Sequence, residues 1–137
     1  MEPVIHIKHK GETMAIIISH RFNKDGVHFF TPDEFSQQLA YMKHPAGKKI
    51  EAHYHNAVNR NVVQTQEVLV IKKGKLKVNF YDEKQEFIQD FLLEAGDVIL
   101  LAAGGHGFEV MEEVEMVEIK QGPYQGDSDK TRFNPKN

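Results

Sequence analysis

Four side chains in this sequence have the types and the order to hold a metal ion. In "GKKIEAHYHNAVNRNVVQTQEVLVIKKG", residues 47–74, His53 and His55 stand one residue apart. On an extended strand, residues i and i+2 project to the same face about 7 Å apart, so both imidazoles would face one way and Tyr54 the other. Glu67 opens an apolar run in which it shares a face with Leu69 and Ile71. A carboxylate on such a face must be paired or coordinated, because burying a lone charge is costly. His106 follows "GDVILLAAGG", whose glycines let the chain turn sharply and aim the ring inward. His53, His55, Glu67 and His106 make a set of three imidazoles and one carboxylate, which leaves one or two positions on a divalent ion for water or substrate. Oxygen activation at iron and Lewis-acid polarisation of a carbonyl or enediolate at zinc, manganese or nickel are both open to such a site.

The elements that must position these residues read mainly as strands. Apolar runs are short, rich in Val, Ile and Phe, and repeat with period two. The pattern predicts strands near 13–20, 37–43, 49–55, 66–72, 75–82, 86–92, 97–101, 106–111 and 114–120. "KKGK" and "DEKQ" read as hairpin turns, and "EAGD" and "AAGGHG" as glycine turns. "TPDEFSQQL" predicts one short helix, with Thr31 as N-cap and Pro32 in the first position. So many short strands argue for a closed or double-sheet β-barrel, which removes open sheet edges.

Composition narrows the function. A chain of 137 residues with 40% hydrophobic content is one ordinary domain, 1–137, with one core. A net charge of -3 gives no support to an electrostatic nucleic-acid binder. The absence of cysteine removes disulfides, thiolate nucleophiles and cysteine-zinc sites together. No apolar run reaches the roughly 18 residues of a membrane span, and "MEPVIHIKHK" lacks a signal-peptide core, so the expected compartment is cytoplasmic and no membrane partner is expected. His6, His9, His20, His28 and His44 read as surface or loop histidines. Arg60 could clamp an anionic substrate through its planar fork, and Gln66 and Tyr41 are further candidates for the substrate pocket. Phe80, Phe91 and Phe108 read as core, and Leu69, Ile71, Val78 and Phe108 as an apolar lining.

These residues resemble the cupin superfamily over about 47–110. The first cupin motif is G-x5-H-x-H-x3-4-E-x6-G, and Gly47, His53, His55, Glu67 and Gly74 fit it except that eleven residues separate His55 from Glu67. "NAVNRNVVQTQ" reads as a lengthened loop, which costs little entropy. The second motif, G-x5-P-x-G-x2-H-x3-N, runs over about 96–110 from Gly96 to His106, with Ala102 in place of proline, one residue missing before the histidine, and Val110 in place of asparagine. The resemblance implies an all-β, single-domain double-stranded β-helix, the cupin jelly-roll barrel, with a divalent metal (Fe, Zn, Mn or Ni). It further implies a homodimer, in keeping with the apolar "MAIIIS" strand. "AHYHN", "GGHGFEV" and "EIKQGPY" look like small bacterial cupins, relatives of which occur in surface-polysaccharide and nucleotide-sugar pathways. Within the superfamily stand isomerases, epimerases, dioxygenases and plain binding or sensor domains, so the fold alone selects no reaction. The expectation is a metal-binding protein for a small polar ligand, carbohydrate-like or oxo-acid, with an Fe(II)-dependent dioxygenase or a non-catalytic sensor module as alternatives.

Overall fold

Alternation of period two does build strands here, and they are longer and fewer than the turn residues suggest. A computed structural model describes residues 3–135. Its strands are β1 (Val4–His9), β2 (Glu12–Ile18), β3 (Gly26–Phe29), β4 (Ala40–Lys43), β5 (Glu67–Tyr81), β6 (Phe87–Glu94), β7 (Val98–Leu101) and β8 (Gly105–Lys120). A single 3₁₀ turn covers Gly126–Asp129. The main sheet has six antiparallel strands in the order β1-β2-β7-β5-β6, with β8 on the other side of β5. It curls into a half-barrel. β3 and β4 form a separate two-stranded sheet.

The curl follows from chain length. β5 has 15 residues, and at about 3.3 Å per residue a straight strand would hold Glu67 and Tyr81 some 45 Å apart. Yet Leu101 pairs with Glu67, Gly105 pairs with Tyr81, and the chain from 101 to 105 spans at most about 14 Å. β5 must therefore bend back on itself, and β8 bends with it. The bend falls at 71–76, where the β5–β8 register shifts three times, at Ile71/Lys73, Lys73/Lys75 and Lys75/Leu76. Gly74 sits there at φ 88°, and a Cβ on it would stand 1.9 Å from the Glu113 backbone carbonyl. "KKGK" is thus a set of bulges inside one strand and not the hairpin turn that its glycine suggests. The two strands expected at 66–72 and 75–82 are one, as are those expected at 106–111 and 114–120. The lysines of this stretch reach across the ladder: Lys73, Lys75 and Lys77 meet Glu113, Glu112 and Glu109 at 3.3, 3.7 and 3.0 Å.

Two apolar clusters hold the sheet. On the concave side Ile17, Leu69, Ile71, Leu76, Val78, Phe80, Leu93 and Ile99 are buried together. On the other side Ile16, Ile18, Leu39 and Leu100 pack with Phe22, Phe30, Phe35 and Tyr41 from the segment that includes β3 and β4. "MAIII" is therefore continuously buried because both faces of β2 are covered, and both its edges are paired, with β1 and β7. It is not a surface left for a partner. Phe80 is core and Phe91 packs against it, but Phe108 is 41% exposed. Leu69, Ile71 and Val78 belong to the core and not to a pocket lining.

Three further expectations change. β1 and β3 lie outside the strands that the pattern predicts, and 37–43 narrows to β4. The short helix does not form: among the described residues there is no α-helix. Gln38 ties that segment into turns instead, its amide donating to the Pro32 and Phe35 carbonyls at 2.9 and 3.0 Å and its Oε1 accepting from Thr31 Oγ1 at 2.6 Å. A run this short does not offset the cost of helix nucleation. The strand expected at 49–55 is also absent, and residues 44–65 form an irregular, fully exposed arm between β4 and β5. A strand needs a paired neighbour, and the arm pairs with none of the described strands.

The bend yields a test. Gly74→Ala puts a methyl group against backbone that cannot swing away, at a φ that L residues rarely adopt, and is expected to lower stability by about 2 kcal/mol or more. Chemical denaturation measures it, and an unchanged midpoint would show that the strand does not depend on this bend.

Candidate functional site: a carboxylate–imidazole pair on a cavity wall

The β5 bend brings together residues far apart in sequence. Phe80 is buried on the concave side and pairs directly with His106, so the imidazole shares that face. Leu69 is buried on the same side and lies two residues from Glu67 on β5, which places the carboxylate there as well. With the strand folded back, His106 Nε2 lies 3.0 Å from Glu67 Oε1. Both side chains are mostly covered, with 26% and 17% exposed.

A third group joins them. Glu118 pairs with Leu69 across the β5–β8 ladder and hydrogen-bonds Glu67. The hydrogen bond from His106 is the main cause that holds the Glu67 carboxyl down at about 2, against the opposing effect of burial; the bond from Glu118 and the charges of His106 and Lys120 add to it. Glu118 moves the other way: its bond to Glu67, then burial, then the Glu67 charge raise it above the usual carboxylate range. The arrangement is a carboxylate held ionised between an imidazole and a second carboxyl that is displaced upward. Spacing alone did not single out Glu118. The signal was the alternation in "MVEIK": once β8 is paired with β5, Glu118 and Lys120 fall on the Glu67 face.

Glu67, His106 and Lys120 line a cavity of about 740 Å³. Its other walls come from the arm's last residues, Val63, Gln64 and Thr65, and from the C-terminal tail, including Lys130, Arg132 and Phe133. Phe133 meets Tyr81 edge to face at 5.4 Å and a Cβ on Gly105 would lie 3.1 Å from its ring, so the tail is fastened across the end of β8. The tail's lack of periodicity hid this role. A neighbouring cavity of about 300 Å³ includes Lys120 and Tyr124.

The remaining expected site residues lie elsewhere. His53 and His55 are on the exposed arm, their rings 5.4 Å apart, with His53 Nδ1 2.8 Å from the Glu51 carbonyl. Among the described residues no group of three or more His, Asp or Glu side chains converges on one point. Arg60 is exposed on the same arm. Tyr41 packs against Phe22 at 4.6 Å. Gln66 is buried and its Oε1 accepts from Gln37 N at 3.1 Å and Ser36 Oγ at 3.3 Å, while its carbonyl accepts from Gln121 N; it clamps the base of the arm.

Comparison with family models, curated proteins and solved structures finds no match for this chain. Among the described residues no helix is long and apolar enough to cross a membrane.

The pair predicts a pH response. Because the folded Glu67 value lies below its ordinary one, the pair's stabilisation is present above about pH 4.5 and is lost as pH falls toward 2. Glu118, raised in the fold, contributes in the opposite sense: its share is present at low pH and fades as pH rises through its folded value. Thermal melts of Glu67→Gln should show a shallower loss between pH 4.5 and 2 than the parent; equal slopes would mean that the 3.0 Å contact does not hold the carboxylate.

Proposed function

We propose that the protein is a cupin-type metal-binding domain that takes a small polar ligand, with His53, His55, Glu67 and His106 as the metal donors. The observation that carries the reading is the Glu67–His106 contact at 3.0 Å on the wall of the cavity. Two donor atoms that each lie about 2.1 Å from one ion at right angles stand about 3 Å apart, so this half of the donor set has a separation that suits a shared ion. Glu67, held at about 2, is ionised and ready to coordinate throughout the neutral range. His53 and His55, adjacent on an arm that nothing else occupies, are the imidazoles available to join them.

A bound ion would supply Lewis-acid polarisation of a carbonyl or, if it were iron, oxygen activation. The chain's own groups do the rest. Glu118, hydrogen-bonded to Glu67 from the facing strand, orients the carboxylate. Lys120 and Lys130 line the cavity and favour an oxo-acid over a neutral sugar, because each cation can pair with a ligand carboxylate. A volume of about 740 Å³ is in the range of small-molecule sites.

Metal analysis of protein purified without added metal tests the reading. Bound zinc, manganese or nickel without oxygen uptake supports the Lewis-acid or binding role, whereas iron with ligand-dependent oxygen uptake supports a dioxygenase. Glu67→Ala and His53→Ala are each expected to lose most of the metal. A chelator is expected to lower the parent's stability by about 2.7 kcal/mol from its value at metal one-hundredfold above Kd, and to leave the variants unmoved. Parent protein without metal, indifferent to chelator and to added ions, would sink the proposal.

A further inference from the structure

β8 is an open edge. It pairs with β5 along one side, and no other described strand pairs with its outer side over 16 residues. Part of its concave face is also uncovered. Phe108 and Val110 pair with Val78 and Leu76, which are core, so they point into the half-barrel, yet they are 41% and 60% exposed. Met116, paired with the buried Ile71, is 40% exposed. An exposed, long, partly apolar edge is what natural sheets cover. The arm offers what that edge lacks. Over 49–55 it alternates Lys49, Glu51, His53 and His55 with Ile50, Ala52 and Tyr54, a strand pattern with no strand beside it.

Charge matches the two. The arm carries Lys48, Lys49 and Arg60 against Glu51. β8 carries Glu109, Glu112, Glu113, Glu115 and Glu118 against Lys120; the β5 lysines form ion pairs with the first three of these acids, and the strand keeps an excess of acids over bases.

We infer that the arm docks on the β8 edge of a second copy of the chain, reciprocally, and delivers His53 and His55 to the partner's Glu67–His106 pair. Two observations favour exchange over closure within one chain. The arm's base is fastened to its own tail, by Thr65 Oγ1 donating to Asp129 Oδ1 at 2.6 Å and Gln121 N to the Gln66 carbonyl at 3.3 Å. That tail continues to Phe133 at Gly105, across the side from which the arm would reach its own His106. Moreover, with its histidines turned inward, an added strand presents Ile50 and Tyr54 outward, 63% and 86% exposed. A second copy can bury that face, and the apolar patch of Val27, Phe29 and Met42 at the arm's root extends the surface available to it. Reciprocal exchange closes both edges by one two-fold axis, as in domain-swapped dimers.

The docking does not depend on a metal; the meaning given to His53 and His55 does rest on the proposed metal site. Two experiments separate them. The chain has no cysteine, so Glu51→Cys with Val110→Cys introduces two thiols for a short bis-maleimide. Glu51 shares the inward face with His53 and His55, where a thiol must face Val110. A covalent dimer is expected from dilute Glu51→Cys/Val110→Cys protein, and none when the second cysteine is placed at Glu83. A cross-linked single chain, or no cross-link, overturns the exchange. In the second experiment, His53→Ala/His55→Ala protein is refolded together with Glu67→Ala/His106→Ala protein in the presence of zinc. Random pairing makes about half of the dimers mixed, each with one complete site of two, so about a quarter of the parent's zinc is expected to return. No recovery, where the parent binds zinc, overturns delivery in trans. A covalent dimer from protein that takes up no zinc supports the docking and removes the metal site.

Discussion

A strand of 15 residues whose ends must lie close together has to bend, and almost everything of functional interest in this protein depends on where it does so. Register shifts between Ile71 and Leu76 and the left-handed backbone at Gly74 place the bend at the middle of the β5–β8 ribbon. Its two halves then serve different neighbours: the first pairs with β7 and the second with β6. Because β8 follows β5 through the bend, the start of one strand comes beside the end of the other, and Glu67 meets His106 although 39 positions separate them in the chain. The bulges that weaken the ladder are the condition for the site.

Once formed, the contact organises the charges around it. Glu67 is the most constrained of them, since burial works against its ionised form while His106, Glu118 and Lys120 all favour it. The favourable contacts win, and Glu118, whose hydrogen bond and proximity to Glu67 favour its neutral form, is raised above the usual carboxylate range. A site built this way has a fixed negative centre and flanking cations on one cavity wall.

Much of the centre of this arrangement was legible from residue order. Glu67 stood out because a carboxylate on the face of Leu69 and Ile71 demanded a partner, and His106 because the glycines before it aim its ring inward, and the two share one face. The all-β character followed from the period of two. What the sequence concealed were matters of long-range pairing. Gly74 looks locally like a hairpin turn, and the opposing Glu113 carbonyl that makes it a bulge lies 39 residues away. Glu118 is one acid among five on β8 until register sets it opposite Leu69. "TPDEFSQQL" has helix-start chemistry, but Gln38 satisfies the turn carbonyls and removes the reason to continue. "KIEAHYH" has the alternation of a strand, and alternation cannot supply the neighbour a strand requires.

The C-terminal tail has a bearing on how such a protein can change. It walls the cavity with Lys130, Arg132 and Phe133 while belonging to no sheet. Substitutions there escape the demands of register and alternation that bind β5 and β8. The acid–imidazole pair and much of the wall that faces it are therefore written in separate stretches of chain, one held by the ribbon's register and the other by a few point contacts such as Phe133 on Tyr81, so that the wall can be altered between those contacts without disturbing the pair.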